Sequence, residues 1–310
     1  MPPRRRAPSA AAARAGTDYE WRGTAMGADA RIHLSGIDRG PAVAAVEAAS
    51  REIERLEQAL SLFRPDSEIC RLNRGEVLQA PSADLRRALS LALAIARGTG
   101  GLFDPTVQPL WEAHAAWFAQ DPARGLPPDE VLAPARRALD WRRVTLAPDA
   151  IRLGTGQRIT LNGLGQGYVT DRVAELLGAH GLRHVLVDLG EQRALGPQRT
   201  GAPWRIAQAG GDPIVLDTGA LATSEGAGCV LGAGGAAHHL FDPCTGRSAS
   251  HWRRITVHHA SAAVADALST AFSAAAPEAL PALHPRFPGL AVWAVDREGR
   301  HRHWPATFPT

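Results

Sequence analysis

The stretch HHASAAVADALSTAFSA, residues 258–274, predicts a helix that begins near Ser261 and is built mostly from Ala and Ser. It carries a single carboxylate, Asp266, and one turn later a hydroxyl, Thr270. Residues at positions i and i+4 share a helix face, with their Cβ atoms about 5–6 Å apart. Together the two side chains offer hard oxygen donors of the kind that magnesium prefers. In isolation, the pair fits a capping or solvated acid better than a metal ligand.

The segments around this helix predict helices and strands that do not alternate regularly. The patterns indicate a strand at residues 28–34, helices at 41–63 and 82–97, a hairpin at 142–154, a helix at 166–181 and a buried strand at 183–190. From Trp204 onward, short strands alternate with Gly-rich turns until the Ala-rich helix. This order favours an α+β fold over a doubly wound sheet, and there is no Rossmann fingerprint.

Composition excludes several classes of protein. The chain has 310 residues, a net charge of +3 and no lysine, so no lysine can act as a base or as a phosphate ligand. Its Arg residues are scattered without a basic stripe, so we expect no nucleic-acid partner. No apolar run approaches the roughly 18 residues of a membrane span. Cys70, Cys229 and Cys244 are widely spaced, which argues against a disulfide framework and a structural zinc site.

The two ends of the chain are rich in positively charged residues. The N-terminus has a basic start, but Pro, Ser and Arg interrupt any apolar core of a secretory signal. We therefore expect a disordered tail at residues 1–18, one domain at residues 19–310 and a cytoplasmic location, with twin-arginine export as the alternative. The Arg- and His-rich residues 297–310 predict a solvated tail.

Four further stretches could carry chemistry. In GTAMGADA, residues 23–30, small residues around Met26 allow the backbone to approach a ligand closely, and Met packs well against flat rings. In GGLFDPTVQPLW, residues 100–111, an aromatic side chain stands beside an acid in a Gly- and Pro-shaped loop, an arrangement that can hold a heterocycle. Taken alone, the first stretch fits a turn before a strand better than a ligand site, and a well-made turn explains the second equally well.

The other two stretches contain glycines and histidines. In ITLNGLGQGYVTD, residues 159–171, Gly163, Gly165 and Gly167 precede a helix whose N-terminus favours anions, although the spacing is not that of a P-loop. In HHLFDPCTGRSA, residues 238–249, two histidines precede a turn. Alone, these histidines fit an exposed loop pair.

Read together, these stretches resemble the ApbE family of flavin transferases (FAD:protein FMN transferases). The family's motifs are MGT, SxΦxxLN with Φ hydrophobic, GxFDPTVxPL, GxxxGYxxD, (N/D)LGG, ATSG, HxxDPxTG and ADAxxT. In this chain they stand, in the same order, as Met26–Gly27, SEICRLN, GLFDPTVQPL, GLGQGYVTD, DLGEQRALG, ATSEG, HLFDPCTG and ADALST. The resemblance covers about residues 20–275. It implies a single α+β domain, similar to the T-fold, with a cleft for FAD and Mg²⁺ between helices and mixed or antiparallel sheets.

The resemblance also implies roles for individual residues. Asp266 and Thr270 would be side-chain ligands of Mg²⁺, with the backbone oxygen of Gly163 as a third ligand, and Mn²⁺ suits the same oxygen donors. His239 would be the catalytic base beside Asp266. The FAD-binding residues would be Met26, Phe103, Asp104, Thr160 and Gln166. The reaction would move FMN from FAD to a Thr or Ser of an acceptor flavoprotein, through a phosphoester, and release AMP.

Four positions depart from the family pattern. Gln166 stands where many members have a charged residue, commonly Lys, and Thr160 stands where an acid is common. Glu191 replaces the second glycine of the GG pair, and Glu225 follows Ser224 in the ATSG motif. These departures leave two alternatives open beside the transferase: an FAD pyrophosphatase that releases FMN and AMP, and a non-catalytic FAD-binding protein.

Overall fold

Helices and antiparallel strands make up the part of the chain that the computed structural model describes, residues 17–235 and 237–306. The helices are α1 (Arg39–Leu60), α2 (Glu68–Gly75), α3 (Ala83–Gly98), α4 (Gln108–Gln120), α5 (Asp129–Ala138), α6 (Gly165–Ala179), α7 (Ala262–Ala274) and α8 (Leu280–Leu283). The strands are β1 (Thr17–Ala25), β2 (Ala28–Ile37), β3 (Val77–Gln79), β4 (Thr145–Leu146), β5 (Ala150–Arg152), β6 (Val185–Asp188), β7 (Gln192–Ala194), β8 (Trp204–Gln208), β9 (Gly211–Leu216), β10 (Gly219–Glu225), β11 (Val230–Leu231), β12 (Ala237–His238), β13 (Phe241–Asp242), β14 (Arg247–Ser248), β15 (Trp252–His259), β16 (Ala291–Asp296) and β17 (His301–Trp304).

One antiparallel sheet of eight strands spans the molecule in the order β1-β2-β6-β7-β10-β15-β16-β17. Successive side chains of a strand point to opposite faces of the sheet. In β6, Val185 and Val187 accordingly enter the main core beneath the helices, whereas Leu186 faces the β8–β9 hairpin on the other side. The predicted single α+β domain is confirmed, and its main sheet is antiparallel.

Local sequence signals account for several of the helices. The side chains of Val46, Ile53 and Leu56 in α1 recur at helical spacing and are buried. At the start of α3, the Ser82 hydroxyl accepts a hydrogen bond from the backbone N–H of Leu85 at 3.2 Å, which satisfies an otherwise unpaired donor. The predicted hairpin at residues 142–154 is present as β4 and β5.

The composition of α7 follows from its position between α6 and the sheet. All of its residues except Val264 and Thr270 are buried. Small side chains let the neighbouring backbones come close, and the closest approach is at Gly167 in α6. A Cβ atom added to Gly167 would lie 2.3 Å from the carbonyl oxygen of Ala262. The Ala-rich composition therefore reflects dense packing around a helix that is buried on almost every side.

Replacing Gly167 by Ala tests this contact. We expect the free energy of unfolding to fall by about 2 kcal/mol or more, because the added methyl group meets backbone that cannot rotate away. Gly40 is the matched control, since it also lies in a helix and a Cβ there has no atom within 4 Å. Gly40→Ala should be neutral or stabilising by up to about 1 kcal/mol. Urea unfolding measures both variants, and equal stability of the two would contradict the packing argument.

Two sequence predictions need correction, and most of the predicted N-terminal tail lies outside the described residues. The C-terminal segment is not wholly a solvated tail, because His301–Trp304 form β17 and pair with β16. The Gly- and Pro-shaped loop is shorter than predicted, because α4 already begins at Gln108. Strand β1 begins at Thr17, and residues 1–16 of the predicted tail lie outside the described residues.

No helix within the two described ranges combines the length and the apolar character needed to cross a membrane.

Candidate active site

A cavity of about 500 Å³ gathers most of the residues that the sequence singled out. Its volume is within the range of ligand-binding clefts, about 300–1,000 Å³. The predicted residues that line it are Phe103, Asp104, Thr160, Gly163, Gln166, His239, Asp266 and Thr270. Met26 instead lines a smaller adjoining pocket, which shares Gln166 and His239 with the main cavity. The structure thus brings together side chains that are up to 167 positions apart in the chain.

The helix pair α6 and α7 positions the acid of the Ala-rich helix. Asp266 is buried, and its Oδ2 accepts a hydrogen bond from the backbone N–H of Gly167 at 3.0 Å. Thr270 lies one turn later, and its Oγ1 is 3.4 Å from Oγ of Ser224 in β10. A Cβ atom added to Gly163 would lie 2.8 Å from Oγ1 of Thr270, so the bare backbone of Gly163 adjoins this hydroxyl.

These atoms form a donor set that fits Mg²⁺, the ion that the resemblance implies. A carboxylate, a hydroxyl and a backbone carbonyl are hard oxygen ligands. The missing side chain of Gly163 leaves open the space that an ion beside Thr270 requires, because a Cβ atom there would collide with the hydroxyl. Among the described residues, no group of three or more His, Cys, Asp or Glu side chains is arranged for a metal. A cation here therefore needs hydroxyl and backbone oxygens beside the carboxylate.

The electrostatics of the cavity favour a cation. Burial raises the pKa of Asp266 to about 7, because desolvation penalises the charged carboxylate. Burial, and then the charge of Asp266, raise the pKa of Glu191 well above its ordinary value. No Arg is found among the described residues that line the cavity, and the chain contains no lysine. A positive ion would therefore lower the cost of ionising both acids.

Asp171, the acid of the GYxxD motif, holds the start of α7 in place. Its Oδ1 accepts a hydrogen bond from the backbone N–H of Ala262 at 2.8 Å, and its Oδ2 accepts from that of Ala263 at 3.1 Å. The hydroxyl of Ser261 and the guanidinium of Arg193 also donate to this carboxylate. The N-cap hydroxyl of Ser261 accepts from the N–H of Val264 at 3.3 Å, so the carboxylate from α6 and this hydroxyl together cap the positive end of the helix that carries Asp266 and Thr270.

Removing this cap should be costly. We expect Asp171→Ala to lower the free energy of unfolding by about 3 kcal/mol, because it leaves the Arg193 charge and two backbone donors without their acceptor. Asp171→Asn keeps an acceptor and should lose roughly half as much. Urea unfolding of the wild type and both variants measures the difference. A loss below about 1 kcal/mol for Asp171→Ala would show that the N-cap hydroxyl of Ser261 suffices to hold the start of the helix.

The two adjacent histidines of the HxxDPxTG segment have different surroundings. His238 is buried; its Nε2 donates to the carbonyl of Ala249 at 2.9 Å, and its Nδ1 accepts from the N–H of Leu240 at 3.3 Å. His239 lines the cavity, and its Nδ1 lies 3.2 Å from the carbonyl oxygen of Cys229. A carbonyl oxygen can only accept, so Nδ1 of His239 carries the proton and Nε2 keeps a free lone pair.

His239 is also suited to remain neutral. Burial lowers the pKa of its imidazole below the ordinary value, although the hydrogen bond to Cys229 opposes this shift. A neutral imidazole with an unprotonated Nε2 can accept a proton from a hydroxyl group. His238, with both ring nitrogens paired, has a structural role instead.

The carboxylate of Asp104 holds the loop before α4 in place through hydrogen bonds. Oδ1 of Asp104 accepts hydrogen bonds from the N–H and the hydroxyl of Thr106, at 2.8 and 2.6 Å. Its Oδ2 accepts from the N–H of Trp141 at 3.3 Å, and burial raises the pKa of the carboxyl. The N–H of Thr160 donates to the carbonyl of Pro105 at 2.8 Å, which joins this loop to the glycine segment. Asp104 therefore builds the cavity wall, and its contact with FAD stays a prediction.

Sequence reasoning missed several residues of the site. The exposed aromatic rings of Phe63 and Trp111 line the cavity, and 75% of the Phe63 surface is accessible. Nothing in the local sequence distinguishes them from ordinary surface residues. Glu191 was noted only as a departure from the GG pair, but it is a buried part of the cavity lining. Glu225 lines the same cavity, so both additional acids belong to the site.

The chain is similar in sequence to known flavin transferases. The family model described as ApbE family matches residues 26–293. A curated relative, the FAD:protein FMN transferase of Escherichia coli (strain K12), is 25% identical over 297 residues, which cover 89% of this chain and 84% of the relative. The FAD:protein FMN transferase of Treponema pallidum (strain Nichols) is 28% identical over 288 residues, which cover 84% of this chain and 79% of the relative.

Solved structures share the fold. The ApbE protein from Thermotoga maritima matches with a TM-score of 0.81 and 26% identity, covering 92% of this chain and 96% of that chain. The apo form of the flavinyl transferase ApbE from Pseudomonas stutzeri matches with a TM-score of 0.80 and 23% identity, covering 94% and 96%. Because the family model spans most of the chain and the fold agrees, this protein belongs to the ApbE family.

Proposed function

We propose that this protein is a Mg²⁺-dependent FAD:protein FMN transferase, which attaches FMN from FAD through a phosphoester to a Thr or Ser of an acceptor flavoprotein and releases AMP. One observation carries the proposal: a single cavity places the Asp266–Thr270 pair, the bare backbone of Gly163 and the half-buried His239 together. The names of the curated relatives support the same reaction.

The oxygen donors would hold the cation, and the protein positions them tightly. Asp266 is fixed by the N–H of Gly167, and Thr270 is adjacent to Ser224, whose hydroxyl also lies 2.8 Å from that of Ser269. When bound, Mg²⁺ would neutralise charge on the FAD pyrophosphate and on the departing AMP. Since the described lining of the cavity offers no Arg, the ion held by these oxygen donors would supply the positive charge.

His239 would activate the acceptor. Its Nε2 takes the proton of the acceptor hydroxyl as that oxygen bonds to the phosphorus of the FMN phosphate. The bond between this phosphorus and the bridging oxygen of the pyrophosphate then breaks, and AMP leaves with that oxygen. Positioning of the two reacting groups supplies much of the rate, as in other phosphoryl transfers.

The cavity also has surfaces for the rings of FAD. Beside its polar groups, the described lining of the cavity includes the aromatic side chains of Phe63, Phe103, Trp111 and Phe241. Aromatic side chains stack on flat heterocycles in offset or edge-to-face geometry. Met26 in the adjoining pocket would pack against the same part of the ligand, as the sequence predicted.

The experiment that tests the proposal incubates the purified protein with FAD and Mg²⁺, with and without an acceptor flavoprotein. AMP that forms together with a covalently flavinylated acceptor, and only when the acceptor is present, is the expected result. AMP and free FMN without an acceptor would replace the proposal by an FAD pyrophosphatase. Bound FAD without any AMP would replace it by a non-catalytic FAD-binding protein.

A further inference from the structure

The charge of the cavity lining is unusual for a site that receives a pyrophosphate. The side chains of Asp104, Glu191, Glu225 and Asp266 line it, and among the described lining residues no Arg offsets them. The pyrophosphate of FAD carries two negative charges, so FAD alone would meet like charges in a partly desolvated cleft. Like charges at close range disfavour binding by several kcal/mol in general. A positive ion already in place would therefore favour FAD binding, which the proposed function assumes.

Glu191 is a buried acid of this lining, and its neighbours in the fold contact the Asp266–Thr270 pair. Only 6% of its surface is exposed, and its Oε2 accepts a hydrogen bond from the N–H of Thr223 at 3.1 Å. Its Oε1 accepts no hydrogen bond from any described residue. A buried carboxylate with a single protein donor is costly unless a further partner compensates its charge.

Two residues next to Glu191, its hydrogen-bond partner Thr223 and the preceding Gly190, connect it to the two predicted metal ligands. On one side, Thr223 is followed by Ser224, whose hydroxyl is 3.4 Å from that of Thr270. On the other side, a Cβ atom on the preceding residue, Gly190, would lie 2.5 Å from the Gln166 amide. The next residue after Gln166, Gly167, donates to Asp266. The Glu191 carboxylate thus belongs to the same corner of the cavity as the oxygen donors.

We propose that Glu191 joins Asp266 and Thr270 as a ligand of the divalent cation, so that the cation binds the free enzyme first and FAD binds the cation-loaded form more tightly than the cation-free form. Two carboxylates hold a hard divalent ion more tightly than one, because the affinity of such sites rises with the number of charged ligands. The glycine that the family pattern has at this position offers no such oxygen. The inference rests on the proposed function for the identity of the ligand that follows the cation.

Cation binding to the FAD-free protein is the first test. Mn²⁺, which prefers the same oxygen ligands, is titrated into the chelator-treated full chain and followed by electron paramagnetic resonance. Glu191→Gln keeps an acceptor for the N–H of Thr223 and removes one charge, so the fold should persist. We expect its Kd for Mn²⁺ to rise at least about 10-fold. The control Glu278→Gln, which removes an exposed carboxylate that does not line the cavity, should change the Kd less than about twofold.

FAD binding without any turnover is the second test. In EDTA, the wild type should bind FAD at least about 10-fold more weakly than with Mg²⁺, as measured by quenching of flavin fluorescence. Glu191→Gln should bind FAD more tightly than the wild type in EDTA, because it removes a repelling charge, and more weakly in Mg²⁺. A purely structural Glu191 would not reverse the order in this way.

The outcomes separate the inference from the proposed function. Wild-type Mn²⁺ affinity in Glu191→Gln, or equal FAD affinity of the wild type with Mg²⁺ and with EDTA, would overturn the inference. Neither measurement requires AMP formation or an acceptor protein. If the protein forms no AMP but Glu191→Gln loses Mn²⁺ affinity, the proposed transfer fails while the cation site stands.

Discussion

Replacing Asp266 by Asn is expected to lower the rate of AMP formation from FAD by at least about 1,000-fold, because a metal ion supplies several kcal/mol of transition-state stabilisation. Asn keeps an oxygen that accepts from the N–H of Gly167, so α6 and α7 should stay packed. The change removes the charge from the predicted metal ligand and little else. The rate is measured with FAD, Mg²⁺ and acceptor, by chromatographic detection of AMP.

The matched control for this prediction is Glu278→Gln, which removes an exposed carboxylate four positions beyond the end of α7. It should keep the wild-type rate and stability. Raising the Mg²⁺ concentration should partly restore Asp266→Asn, since Thr270 and the backbone of Gly163 remain in place. If Asp266→Asn turns over within about tenfold of the wild type, no essential metal is held by this acid.

Much of the fold was predictable because its signals are local. The apolar spacing of α1 and the Ser82 cap of α3 each act within a few turns of one helix, and the structure confirms both. Strand β17 was not predictable in this way. His301, Arg302 and His303 are polar, and residues 301–304 form a strand only because β16, six or more positions earlier, offers a free edge with which to pair.

In the candidate site too, some contacts follow from the local sequence and others depend on tertiary packing. The helical spacing of Asp266 and Thr270 places both on one face, so their proximity follows from the sequence. The capping of α7 by Asp171 joins residues that are 91 positions apart, from Asp171 to Ala262, and no periodicity encodes that contact. Glu191 is similar: its burial depends on Thr223, 32 positions away. Such contacts come from tertiary packing, which overrides what each local segment prefers.

His239 carries the second large prediction. His239→Asn should lower the rate of FMN transfer by about 100- to 10,000-fold, the usual contribution of a general base. Asn occupies similar space and can still donate to the carbonyl of Cys229, but it has no Nε2 lone pair to accept a proton. Binding of FAD and of the cation should persist, so the loss should appear in the single-turnover rate and not in the affinity for FAD.

The pH dependence of the transfer rate distinguishes a catalytic base at His239 from a residue with only a structural role. The base must be neutral, and burial lowers the pKa of His239, so the wild-type rate should be constant near neutral pH and fall only as the pH drops through this lowered pKa. Saturating Mg²⁺ keeps Asp266 ionised across this range. His239→Asn should lose the acidic limb together with the rate, while His251→Asn, at an exposed histidine, keeps both. An unchanged acidic limb in His239→Asn would assign the base to another group, because the titration would then belong to a side chain that the substitution leaves intact.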